Sequence, residues 1–129
     1  MTADERAEKA VMLKHNGYNC AQAVLGACAD LTDLDPAALR NISSGFGGGM
    51  GCMEATCGAL AGAVMTAGLM QNGQGTLPKA AIILKDFQQR SGATICRELK
   101  GVGTGRVLCP CDDCVRNAIH ALSDTVTLS

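Results

Sequence analysis

The chain has 129 residues, a formal net charge of −1 from 11 basic and 12 acidic side chains, and eight cysteines. It carries no block of basic residues, and its aromatics are Tyr18, Phe46 and Phe87 alone, which speaks against nucleic-acid binding by phosphate neutralisation or base stacking. Trp is absent and the apolar residues are mainly Ala, Leu, Val, Met and Cys, which favours close-packed helices over a β-sandwich.

This length suits a single cysteine-rich helical domain over residues 1–129, with its own core. The start, Met1-Thr-Ala-Asp-Glu-Arg6, is polar and lacks the apolar stretch of a signal peptide. The longest largely apolar run, Cys57 to Met70, is too short to span a bilayer and reads as a core helix. A cytoplasmic protein is the expectation. In that compartment thiols stay reduced, so a cysteine-rich pattern points to metal binding or catalysis before a disulfide framework.

Taken in order, the sequence predicts six to seven short helices joined by glycine-rich loops, an all-α fold. Thr2 and Glu5 have capping-box spacing, and Ala7, Ala10, Val11 and Lys14 give a helix over 3–15 that stops at Gly17. Asn19 caps a second helix that carries Cys20, Ala23, Val24, Ala27 and Cys28 and ends near Asp30. Asp35-Pro36 starts a third, which runs to about Ser44. The loop Gly45-Phe-Gly-Gly-Gly-Met-Gly51 leads into a fourth helix from about Glu54 to Met70. There Ala55, Ala59, Ala63 and Ala67, and separately Gly58 and Gly62, repeat at four-residue spacing. Such stripes let another backbone come close, most simply within the domain and otherwise in a homodimer. Thr76 caps a fifth helix that ends at Gly92, and Thr94 a short sixth with Cys96 and Leu99. The loop Gly101-Val-Gly-Thr-Gly105 follows no strand, so a dinucleotide or P-loop reading is weak. Asp112 or Asp113 caps a seventh helix through Leu122, with a loose tail after Asp124.

The cysteines sort by position. Cys20, Cys57, Cys96 and Cys114 each fall in or beside the first turn of a predicted helix. The partial positive charge and free N–H groups there favour thiolate, the form that binds metal. Converging helix starts would make a Cys₄ site. The glycines Gly47, Gly48, Gly49, Gly51 and Gly58 would form a wall of that site and donate N–H groups to sulfur. Cys28 lies eight residues from Cys20, roughly 12 Å along a continuous helix, and reads as a small buried hydrophobe. Cys52, Cys109 and Cys111 are open as further ligands, resolving thiols or a disulfide pair. The spacing Cys109-x-Cys111-x-x-Cys114 matches neither a zinc finger nor a ferredoxin run, and no Cys-x-x-Cys-His exists for covalent haem. His15 and His120 read as surface residues, and Met50, Met53, Met65 and Met70 as packing around the fourth helix.

Cys20 ahead of Ala21-Gln22-Ala23-Val24, then Cys57-Gly58-Ala59-Leu60-Ala61-Gly62, Cys96 and Cys114 resemble the redox-active family C_GCAxxG_C_C, which is related to the non-haem part of split-Soret cytochromes c. The resemblance spans about Tyr18 to Leu122. It implies a small helical redox protein with an iron–sulfur centre, [2Fe–2S] or [4Fe–4S], on those four cysteines. Two other readings of the residues stand beside it: a metal-free thiol–disulfide enzyme in which Cys57 attacks and a nearby thiol such as Cys52 resolves, and a zinc module with a closed Cys₄ site. A redox partner protein is expected, of a kind the residues do not specify.

Overall fold

Reciprocal caps set the first two helices. In a computed structural model describing residues 1–127, Thr2 Oγ1 accepts from the Glu5 N–H at 3.1 Å while Glu5 Oε1 accepts from the Thr2 N–H at 2.9 Å, opening α1, Ala3–His15. Asn19 and Gln22 repeat the arrangement at 2.9 and 3.0 Å for α2, Cys20–Ala27. This helix ends sooner than the sequence suggests. Arg6 Nη1 takes the Ala27 carbonyl at 2.8 Å and Asp30 Oδ1 at 2.6 Å, and the chain tightens into a 3₁₀ turn at Ala29–Leu31.

Pro36 begins α3, Pro36–Ser43, with Asp35 preceding it but making no side-chain cap. A 3₁₀ turn at Ser44–Phe46 and a wide turn at Gly49–Met53 follow. Gly48, Gly49, Met50 and Gly51 are all left-handed, with φ of 60°, 61°, 60° and 78°. Three glycines in this run of four make it accessible.

The next helix, α4, is Gly58–Met70, so it starts later than Glu54. Residues 55–57 are used otherwise: the Cys57 N–H donates to the Thr94 carbonyl at 2.8 Å and the Cys96 N–H to that of Ala55 at 3.0 Å. Thr56 and Ile95 thus form an isolated antiparallel bridge, and the described residues contain no strand. Left-handed Gly75 and Gly92 bound α5, Thr76–Ser91, in which Thr76 is the first residue and not the cap. Ile95, not Thr94, precedes α6, Cys96–Lys100. Pro110, not Asp112 or Asp113, precedes α7, Cys111–Thr125, so helix continues past Asp124; the last two residues of the expected loose tail lie outside those described.

The fold is an all-α bundle of seven α-helices among the described residues. The central helix, α4, is apolar on every side, with Ala59, Leu60, Ala63 and Ala67 buried, and it packs on α2, α5 and α7. Through Val115, Ala118, Ile119 and Leu122, α7 closes the core against α1 and α5. Among the described residues no helix is long and apolar enough to cross a membrane.

Candidate functional site

The two glycines of Cys57-Gly-Ala-x-x-Gly62 place the thiols. A Cβ at Gly58 would stand 2.7 Å from the Phe46 carbonyl oxygen and 3.3 Å from the Ala21 nitrogen; one at Gly62 would stand 2.9 Å from the Ala21 carbonyl oxygen. Without side chains there, α4 crosses the start of α2 at close range, and Cys20 comes near Cys57. The Thr56–Ile95 bridge adds Cys96, because side chains alternate across extended backbone and Cys57 and Cys96 therefore share a face. Gly49 presses on that face: its Cβ would lie 2.7 Å from Cys96 Cβ. From the other side α7 brings Cys111, its first residue, and Cys114, one turn on.

Two thiol pairs result. Cys114 neighbours Cys57, and Cys20 neighbours Cys111, while the Cys114 thiol donates to the Cys109 carbonyl at 3.5 Å. In each pair the contact lowers the pKa of one thiol and raises that of the other. The Cys114 contact, joined by the backbone N–H groups of Leu60 and Ala59 against the opposing effect of burial, lowers Cys57 to about 7. The Cys20 contact, with help from Lys100, lowers Cys111 to about 5. Cys114 and Cys20 are raised by these neighbours, with burial adding to the effect. Burial also raises Cys96, and the negative charge of Cys57 adds to it. Cys57, Cys96 and Cys114 are buried, whereas Cys20 and Cys111 are half-buried.

Lys100 completes the cluster. It is the last residue of α6, one turn after Cys96. Its Nζ donates to Cys114 Sγ at 3.5 Å and to the Cys109 carbonyl at 3.3 Å, and also reaches Cys111. Burial works against its charge, but the surrounding sulfurs outweigh that and hold the ammonium above its ordinary value. Among the described residues no carboxylate pairs with it.

Cys109 borders the cluster: it is buried, its carbonyl accepts from Cys114 Sγ at 3.5 Å, and its sulfur faces Asn117 Nδ2 at 3.7 Å. The remaining candidate residues are dispersed. Cys52 is exposed, 3.6 Å from the Gly49 carbonyl. Cys28 is buried beside Arg6 and Thr66. Gly47 abuts the Asn19 side chain, while Gly48 and Gly51 face open space and serve the turn through their φ angles. His15 and His120 pair with Asp112 at 2.8 Å and Asp4 at 3.3 Å, and Met50 is exposed at the rim of an apolar groove with Phe46 and Met65. Sequence reasoning missed Lys100, although its spacing of four from Cys96 puts both on one helix face. It also left Cys111 open, although the preceding Pro110 signals a helix start.

No group of three or more His, Cys, Asp or Glu among the described residues is drawn together tightly enough to hold a single metal ion. Neither the curated proteins nor the solved structures yielded a match. A family model does match, over residues 18–125, and Gly58, Gly62 and the five cysteines of the thiol site lie within that span. The chain therefore belongs to the family described as "Putative redox-active protein (C_GCAxxG_C_C)".

Proposed function

We propose that this chain is an electron-transfer or redox-sensing protein whose working group is an iron–sulfur centre held by thiols at the starts of α2, α4, α6 and α7. The observation that carries the reading is the gathering of Cys57, Cys96, Cys111 and Cys114 about Lys100, with Cys20 beside Cys111. An all-sulfur donor set suits iron–sulfur ligation. Cys20, Cys57, Cys96 and Cys114 would hold the centre, one from each helix start, and Cys111 would be a fifth thiol beside Cys20. When bound, such a centre supplies one-electron transfer at a potential tuned by hydrogen bonds and burial. The chain's own part is to donate the Ala59 and Leu60 N–H groups to Cys57, to exclude water around Cys96 and Cys114, and to balance charge with Lys100.

The pairing of thiols favours a second reading, thiol–disulfide exchange without metal. Cys57 would attack as thiolate, and its neighbour Cys114, in place of Cys52, would resolve. A cytoplasmic setting, where thiols stay reduced, suits either reading.

Anaerobic purification, with iron, zinc and acid-labile sulfide analysis and a visible spectrum, separates them. Iron with sulfide and broad visible absorption supports the first reading. No metal, with one reducible disulfide per chain, moves the assignment to the second. Zinc without sulfide calls for iron reconstitution, and a reconstituted chain that stays colourless excludes the iron centre.

A further inference from the structure

We propose that Lys100 is the fixed counter-charge of the thiol site and that it raises the reduction potential of the redox group those thiols form. The inference rests on the site being redox-active, as argued above, and holds for either form of that reading.

Its geometry is specific. The ammonium is fixed by the Cys109 carbonyl at 3.3 Å and Cys114 Sγ at 3.5 Å, and it reaches Cys111 on the same helix start. The left-handed Gly101 that ends α6 turns the chain away directly after Lys100; a Cβ on it would stand 2.5 Å from the Arg106 carbonyl. Thus α6 presents a thiol at its first residue and a cation at its last, one turn apart on one face. Two cations near the site or in the core have carboxylate partners, Arg6 with Asp30 and Lys14 with Asp112. Lys100 has cysteine sulfur and the Cys109 carbonyl instead.

The sign follows from charge. An iron–sulfur centre gains one negative charge when reduced. A disulfide is neutral when oxidised; two electrons and one proton convert it to one thiolate and one thiol. In both cases the reduced state is the more negative, and a cation a few ångströms away favours it. A half-buried position weakens the field by solvent screening, so the expected size is about tenfold in the reduction equilibrium, ~59 mV for a one-electron couple or ~30 mV for a two-electron couple.

The test compares Lys100→Gln with Lys100→Arg in the full chain. Gln keeps a donor for the Cys109 carbonyl and removes the charge, whereas Arg keeps the charge. Midpoint potentials are read by spectroelectrochemical titration, with helical circular dichroism as the control for folding. The Gln variant is expected to titrate lower by about the stated amount, and the Arg variant to recover most of the difference. An equal or higher potential in a folded Gln variant overturns the inference. If the Gln variant does not fold, Lys100→Met, which keeps most of the aliphatic stem, is measured in its place under the same criterion. If the wild-type chain takes up no iron, the iron-centre reading fails, and the same variants are equilibrated in glutathione buffers to read the disulfide potential. There a fall again supports Lys100, and no fall overturns it. A wild-type chain that forms neither a centre nor a disulfide overturns both.

Discussion

Arg6 and Lys100 are both drawn into the fold beside cysteine sulfur, one next to Cys28 and the other next to Cys114. Arg6 is only 2% exposed, and its charge is met by the Ala27 carbonyl and the Asp30 carboxylate. Cys28 ends α2, where the helix carries partial negative charge, and burial pushes its thiol up to about 11. It stays neutral and packs. Cys57 and Cys111 stand instead at helix starts, with N–H groups, a second thiol and an ammonium turned toward them, and they titrate at about 7 and about 5. The same residue type becomes inert or reactive according to which end of a helix it occupies and whether the local cation already has a carboxylate.

The largest expected effect separates these two ends outright. Cys57→Ser and Cys114→Ser are expected to lower iron per chain and visible absorbance by at least about 10-fold after anaerobic purification, as loss of a direct ligand should exceed the loss of an outer partner. Cys28→Ala is expected to leave both unchanged. Colour lost with Cys28→Ala would break the comparison.

Next come the glycines that bring the thiols together. Alanine at Gly49 would press a Cβ to 2.7 Å from Cys96 and would itself have to hold φ of 61°; alanine at Gly58 would press 2.7 Å from the Phe46 carbonyl oxygen. Each substitution is expected to cost about 1–3 kcal/mol in urea melts and to weaken metal retention. Gly51→Ala meets nothing within 4 Å and has only its φ of 78° to accommodate, so it should cost less than either.

These same residues show how far the sequence could be read. Caps with local chemistry were legible: Thr2 with Glu5 and Asn19 with Gln22 open α1 and α2 as their spacing predicts. Starts set by distant backbone were not. Thr56 pairs with Ile95, almost forty residues on, and that bridge delays α4 to Gly58 and lets Ile95, not Thr94, precede α6. Gly58 and Gly62 were legible as a close-packing stripe, but their partner, Ala21, depends on how two helices cross. That Cys20 and Cys96 open helices and Cys57 directly precedes one was legible from local sequence. The pairing of thiols, Cys57 with Cys114 and Cys20 with Cys111, depended on tertiary placement, and so did the arrival of Lys100 from the far end of α6.

The titration of the metal-free chain gives a smaller effect with a defined shape. Cys57 and Cys111 are lowered from an ordinary value of 9.0, and Cys20, Cys114 and Cys28 are raised above it. From about 7 up to 9.0 the unfolded chain keeps a proton that folded Cys57 has lost, so stability rises with pH. Above 9.0 the unfolded chain loses protons that the folded Cys20, Cys114 and Cys28 still hold, so stability falls. Reduced, metal-free protein is expected to be most stable near pH 9, by about 1–2 kcal/mol over pH 7 once screening at the half-exposed pair is discounted. Urea midpoints across that range check it; a maximum at or below pH 7 would mean that the thiols are not paired as described.

Asp30→Asn probes the other end and should have the smallest effect. Its side chain is 51% exposed, so solvent screens much of the attraction, and Arg6 keeps the Ala27 carbonyl when the carboxylate is lost. Against that, Arg6 Nε is already buried without a partner, and the guanidinium has little freedom to find a new one. A loss of about 1 kcal/mol at neutral pH balances these terms. The hydrogen bonds from Arg6 hold the Asp30 carboxyl below its ordinary 3.8, so its stabilisation is present above that value and is lost as pH falls through the lowered one. The variant and the parent chain should therefore converge in acid. The midpoint potential of the thiol site should not move, since a carboxylate paired to Arg6 gives the distant sulfurs almost no net field. A shift in that potential comparable to the one expected for Lys100→Gln would show the two cations acting on one site, and the division between a structural cation and a redox-tuning cation would fail.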